Sequence, residues 1–259
     1  MLECVSLARL GFSLPGLPAS PVSTFVSPQG PAGGEGAAVA RPSHIECVLF
    51  DCDGVIVDSE PLAARRNMRI FHELGAPVTY EDCLGLAGVS GHREIPALFA
   101  KYGVEHSFEE FNSVRTDPAE TPETYLDPDL RVYDGLRELL ASLRAAGVQL
   151  GLVSTTVSAR ILTLLDRFRL VSAFDVIVTG DMVARHKPDP EPYQKAMSLF
   201  GVEPEGVVVF EDSTVGIAAG KASEAYVVGV QASAVKQDVS AADELLDSYV
   251  GFDLLGSRS

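Results

Sequence analysis

Two carboxylates two positions apart, Asp51 and Asp53, follow directly on the uncharged run Cys47-Val48-Leu49-Phe50. The run is short, β-prone and apolar throughout, as expected of a strand covered by helices on both faces. Acids held together where a buried strand leaves its sheet repel each other unless a cation stands nearby or one of them keeps a proton. Either arrangement points to catalysis or metal binding, because ligands of open parallel sheets sit at the carboxyl ends of the strands.

Two further apolar runs end in polar residues of no use to a core. Leu150-Gly151-Leu152-Val153 leads into Ser154-Thr155, and Val207-Val208-Val209-Phe210 into Glu211-Asp212-Ser213. In a parallel sheet these ends share one edge, so four carboxylates and several hydroxyls converge, with Lys187 of His186-Lys187-Pro188 as a further contributor. Such an oxygen-rich set suits Mg²⁺, which keeps waters that a substrate phosphate can replace. Asp51 and Asp212 are the expected side-chain ligands, with the backbone carbonyl of Asp53 and the carboxylate of Glu211 completing the shell.

The chemistry that fits is phosphoryl transfer. A carboxylate such as Asp51 can attack phosphorus and split one difficult step into two. Asp53 can protonate the leaving alcohol and later take a proton from water. Ser154 and Lys187, with Thr155 as a secondary contact, would bind the phosphoryl oxygens over which transition-state charge is spread. Each residue also has a plain structural reading. Ser154 or Thr155 could cap the helix that follows, a single lysine is ordinarily solvated, and Glu211-Asp212 could favour a helix dipole. Cys52, between the two acids, should point away from them because side chains alternate across a strand.

These residues need a sheet to position them, and the pattern supplies one. From residue 134 onward, helices are predicted over 135–146, 158–168, 190–200 and 215–223. Strands are predicted over 148–153, 174–178, 206–210 and 225–230, and a short helix over 241–246. Largely apolar strands alternating with helices mean an α/β, Rossmann-like, doubly wound parallel sheet. Residues 61–130 hold no strong strand but show amphipathic helices over 62–74 and 91–102. They read as an α-helical cap inserted into a core made of residues 43–60 and 131–259. Ser90, His92 and Arg93, around the turn ending at Gly91, are candidate substrate contacts from this cap, with a solvated helix start as the alternative.

Composition narrows the partners. With 36 acidic residues against 20 Lys and Arg, the net charge of −16 argues against non-specific nucleic-acid or anionic-membrane binding. No stretch has the length of a membrane-spanning helix. The four cysteines have no CxxC spacing and read as reduced thiols of a cytoplasmic protein. Residues 1–42 are rich in Pro, Gly, Ser and Ala and are expected to form a disordered tail. A plastid or mitochondrial transit peptide is the alternative.

In order and spacing, Asp51-x-Asp53-Gly54-Val55, Ser154 after a strand, Lys187-Pro188 and Glu211-Asp212-Ser213 resemble the four motifs of the haloacid dehalogenase-like hydrolases. The resemblance runs over about residues 45–247. It implies a Rossmann-like core, a helical cap after the first motif, and a Mg²⁺-dependent mechanism through an aspartyl-phosphate. Asp58-Ser59-Glu60-Pro61 and Phe210-Glu211-Asp212-Ser213-x-x-Gly216-Ile217 look most similar to the phosphoglycolate phosphatase and β-phosphoglucomutase group. Mutases of that group carry a histidine at the start of the cap and a lysine before its loop glycine, where this chain has Ala63 and Ala87. Two turn positions also depart from the pattern, Asp134 for a proline and Glu224 for a glycine. The expectation is therefore a phosphatase of a small phosphorylated metabolite, monomeric or weakly homo-oligomeric. A phosphosugar mutase is the alternative, and a non-catalytic binding module is the alternative of another class.

Overall fold

The computed structural model describes residues 41–86, 91–116, 124–233, 235 and 237–256, all within the unit Ala38–Ser259. The segment read as a tail or transit peptide falls almost wholly outside them. In chain order the elements are β1 (Cys47–Phe50), α1 (Glu60–Glu73), α2 (Tyr80–Leu84), α3 (Glu94–Lys101), α4 (Phe108–Thr116), α5 (Leu136–Ala145) and β2 (Gln149–Val153). There follow α6 (Ser158–Arg167), β3 (Val176–Val178), α7 (Glu191–Phe200), β4 (Val207–Glu211), α8 (Thr214–Ala222), β5 (Tyr226–Val230) and β6 (Glu244–Leu246).

Burial on both faces explains why the strands read as continuous apolar runs. Along β1, Val48 and Phe50 enter one apolar cluster while Cys47 and Leu49 enter the other. The first cluster is closed by Leu136, Leu139, Leu140 and Leu143 of α5 and by Ile161, Leu164 and Leu165 of α6, at helical spacing. The second is closed by Tyr193, Ala196 and Met197 of α7 and by Ile217 and Ala219 of α8. The sheet is parallel throughout, in the order β3-β2-β1-β4-β5-β6. From β1 the chain builds outward through β2 to β3, then returns to lay β4 against the other side of β1. The strand order thus reverses at β1 and β4, where the carboxyl ends open a crevice.

Helices α1 to α4, between β1 and α5, form a helical insert with an apolar cluster of its own. Phe71 of α1 lies 4.6 Å from Phe99 of α3 and 4.7 Å from Phe111 of α4, ring centre to ring centre. Helices α2 and α4, unmarked in the amino-acid pattern, complete it; α2 starts at a capping box in which Thr79 and Asp82 bond reciprocally. Asp58, at the entry to the insert, accepts from Tyr133 Oη at 3.2 Å and Ser233 Oγ at 2.8 Å. No helix among the described residues is long and apolar enough to cross a membrane.

One element corrects the expectation. The helix predicted over 241–246 is instead the edge strand β6, which pairs Val228 with Glu244 and Val230 with Leu246. The residues favour a helix locally, but β5 offers an open edge of backbone donors and acceptors that must be satisfied. Asp243 reinforces the docking by accepting from the backbone N–H of Val227 at 2.9 Å.

Glu224, which follows α8, adopts φ +67, a left-handed conformation that costs a side-chain-bearing residue free energy. Glu224→Gly is expected to stabilise the fold by about 0.5–1 kcal/mol. Urea unfolding checks this, and an unchanged or lower midpoint would contradict it.

Candidate active site

The backbone N–H of Asp51 donates to the carbonyl of Phe210 at 2.9 Å, which carries the chain off β1 beside β4 and sets Asp51 next to Glu211. Lys187 arrives between them from the loop before α7. Its Nζ donates to Asp51 Oδ1 at 2.6 Å, Glu211 Oε1 at 2.5 Å and the Val153 carbonyl at 3.1 Å. All three ammonium donors are therefore taken by protein oxygens, one from each of three adjacent strand ends. The Lys187 side chain is 3% exposed and that of Glu211 is fully buried. In this arrangement the lysine orients and neutralises the two acids.

Glu211 is fixed further by Tyr193 Oη at 2.7 Å, Ser213 Oγ at 3.1 Å and the Asp212 N–H at 3.1 Å. Two glycines make room for these carboxylates. A Cβ on Gly54, at φ +75, would fall 1.7 Å from Asp212 Oδ2, and one on Gly216 would fall 1.9 Å from Glu211 Oε1. The glycines of the first and fourth motifs are thus cradles for the acids of the fourth.

Asp51, Glu211 and Asp212 each present an oxygen within 4.8 Å of the others. Burial, offset by Lys187, raises the Asp51 carboxyl to about 7, and burial with Glu211 and Asp51 nearby raises Asp212 well above its ordinary value. Burial pulls the Lys187 ammonium down, but Asp51 and Glu211 outweigh it and the group stays charged. One cation among these acids leaves negative charge in excess, and an all-oxygen donor set of this kind fits a divalent metal such as Mg²⁺.

Asp53 stands apart from that cluster. Its two oxygens accept from Ser59 Oγ at 2.6 Å and Tyr125 Oη at 2.5 Å. Burial, then the nearby Asp53 charge, pushes the Tyr125 phenol well up, so it keeps its proton and donates. Cys52 is buried in the apolar cluster of one face of the sheet, where burial, then the nearby Asp53 and Asp51, push its thiol well up.

Ser154 is 4% exposed, and its Oγ accepts from the Thr156 N–H at 3.1 Å. Neither Ser154 nor Thr155 caps α6, whose N-cap is Val157, so the plain capping reading does not account for them. Ser213, in contrast, caps α8 by accepting from the Gly216 N–H. A cavity of about 680 Å³ opens over these groups, lined by Asp51, Asp53, Ser154, Thr155, Lys187 and Asp212 from the core. Ala63, Asn67 and Arg115 line it from the insert. His92 and Arg93 are exposed and do not line it; the His92 ring packs 3.9 Å from that of Phe108. Ser90 and Ala87 lie outside the described residues. Tyr125, Ser59 and Tyr193 carried no signal of their own: Tyr125 sits in a Pro-rich acidic tract that reads as a linker, and Tyr193 in an ordinary amphipathic helix.

Residues 48–230 match the family model for haloacid dehalogenase-like hydrolases. The chain belongs to this family. It is 34% identical over 179 residues to a phosphorylated carbohydrates phosphatase of Thermotoga maritima, covering 69% of this chain and 82% of that protein. It is 31% identical over 189 residues to a phosphoglycolate phosphatase of Nitrosospira multiformis, covering 72% and 83%. Among solved structures, CbbY from Rhodobacter sphaeroides in complex with phosphate superposes with a TM-score of 0.62 at 27% identity, covering 79% of this chain and 95% of that one. Phosphatases of the family generally use Mg²⁺, the metal that the acid cluster fits.

The raised Asp51 carboxyl has a consequence for stability. Between its ordinary 3.8 and about 7 the folded state holds a proton that the unfolded chain has released, so folding weakens as pH rises across that window and levels off above it. In metal-free protein, Asp51→Asn is expected to stabilise by a few kcal/mol at pH 8 and by little at pH 4. Denaturation at the two pH values checks this; equal effects would contradict it.

Proposed function

We propose that the protein hydrolyses a small phosphate monoester, such as a sugar phosphate or a phosphoglycolate-like metabolite, through an aspartyl-phosphate formed on Asp51. The observation that carries this reading is the placement of two acids in different environments on one cavity wall. Asp51 is gripped by Lys187 inside the acid cluster, and Asp53 is held by hydroxyls outside it.

In this mechanism Asp51 Oδ2, the oxygen not bound by Lys187, attacks phosphorus while the ester P–O bond breaks. Asp53 gives its proton to the departing alkoxide oxygen. Water then attacks the phosphorus of the aspartyl-phosphate, its proton passes to Asp53, and the Asp51 carboxylate is released. Ser154 and Thr155 donate to the phosphoryl oxygens from the end of β2. Asp51, Glu211 and Asp212, with the Asp53 carbonyl, would hold Mg²⁺, which when bound supplies positive charge against the developing charge on the phosphoryl group. The insert serves as the cap, and its residues in the cavity wall supply selectivity. Ala63 in that wall supports hydrolysis over isomerisation, since it stands where mutases of the resembling group carry a histidine.

Asp51→Asn is expected to lower turnover by at least about 10³-fold while the protein stays folded. Phosphate release and circular dichroism read the two effects, and near-wild-type turnover would remove the nucleophile assignment. Chelation by EDTA is expected to stop phosphate release and Mg²⁺ to restore it. Full activity in EDTA would contradict the ligand assignment.

A further inference from the structure

A tyrosine of the segment returning from the insert touches the acid of the proposed mechanism. Tyr125 lies in the short helical turn Thr124–Leu126, and its phenol, in a residue only 3% exposed, donates to Asp53 Oδ2 at 2.5 Å. A buried phenol needs a partner for its O–H. A second acceptor, Thr156 Oγ1, stands at 3.4 Å, so Asp53 takes the stronger bond.

The side chain that carries this hydroxyl is itself held in place. Tyr125 belongs to the same apolar cluster as Leu62 and Leu130, and the Arg160 guanidinium lies 5.4 Å from the centre of its ring. The backbone of the turn is clasped as well. Arg167, at the end of α6, donates through its guanidinium to the carbonyls of Tyr125 and Asp127, the latter at 2.7 Å. The phenol oxygen is thus fixed relative to the helix that packs on the sheet. An aspartate carboxyl, in contrast, turns in a broad two-fold well about χ2. Ser59 Oγ, donating to Oδ1 at 2.6 Å, restrains one oxygen, and Tyr125 restrains the other. One bond leaves the carboxyl room to turn; two set its plane.

We propose that Tyr125 is a positioning residue for proton transfer, aiming the Asp53 carboxyl at the oxygen of the departing alcohol. The proposal rests on the phosphatase reading above and adds a residue to it. The phenol exchanges no proton with substrate. It keeps its hydrogen, while Asp53 passes its own to the ester oxygen as the P–O bond breaks and the phosphoryl group passes to Asp51. What the hydroxyl contributes is direction, and a proton donor set off its line loses much of its advantage. The contribution therefore scales with the leaving group's need for a proton. A basic phenoxide or alkoxide needs one, whereas p-nitrophenolate, a stable anion, leaves largely without it.

Phenyl phosphate and p-nitrophenyl phosphate are similar in shape and differ in that need. In Tyr125→Phe, which removes one oxygen and keeps the ring, kcat/KM for phenyl phosphate is expected to fall about tenfold further than that for p-nitrophenyl phosphate. With the alcohol released in the first step, kcat/KM reports that step, and the later attack of water, common to both esters, does not enter the comparison. Because both esters are measured on one preparation, partial misfolding does not move the ratio. In an Asp53→Asn background, Tyr125→Phe is expected to leave the ratio unchanged, since no proton remains to be aimed. A ratio unmoved by Tyr125→Phe, equal loss of both esters included, gives the tyrosine a structural role and overturns the proposal. So does a shift of the same size with Asp53→Asn in place. Failure of wild type to release phosphate from either ester counts instead against the phosphatase reading on which the proposal stands.

Discussion

The ammonium of Lys187, bonded at once to Asp51, Glu211 and the Val153 carbonyl, ties together the ends of β1, β4 and β2. Taking three charges out of water costs several kcal/mol per ion, and such a group persists only where every proton and lone pair finds a partner. Here each of the three lysine donors has one, and Glu211 has further partners in Tyr193, Ser213 and its neighbouring backbone. The parallel register makes this arrangement available. With Phe50 opposite both Leu152 and Phe210, the next residue along each strand arrives at one point. The sheet thus does the positioning, and the charge left over after Lys187 is what a divalent metal would satisfy.

The two acids of the first motif differ because their surroundings differ. Asp51 belongs to the charged cluster, where burial and neighbouring acids raise its proton affinity. Asp53 accepts from two hydroxyls, those of Ser59 at the entry to the insert and Tyr125 at its return. Both ends of the insert therefore hold the proton-handling side chain, while the insert's own side chains form part of the cavity wall. This links the position of the insert to the orientation of Asp53, a link carried by two hydrogen bonds.

Much of this was legible in the chain because the relevant acids are contiguous with the strands that place them. An apolar run ending in Asp51, or in Glu211-Asp212, states both the element and its use, and parallel pairing brings such ends together without further information. The capping alternative for Ser154 could be weighed from sequence, and it took the position of Val157 at the N-cap to dismiss it. What stayed hidden depends on tertiary placement. Tyr125 looks like linker, and nothing in its spacing ties it to Asp53. Arg115 and Arg160 come from different helices, yet both line the one cavity. His92 and Arg93 are attractive by residue type, yet they lie exposed just ahead of α3. The edge strand β6 is not legible locally, because its helix-prone residues answer to the open edge of β5 rather than to local preference.

The central claim is that Asp51 itself becomes phosphorylated. Rapid acid quenching during turnover of a labelled phosphomonoester, followed by digestion and mass spectrometry, tests this most directly. The account predicts one phosphoryl group on the peptide containing Asp51, removable by hydroxylamine as expected of an acyl phosphate, formed and lost at rates consistent with turnover. A burst of free phosphate with no labelled protein, or a label on another residue, would contradict it.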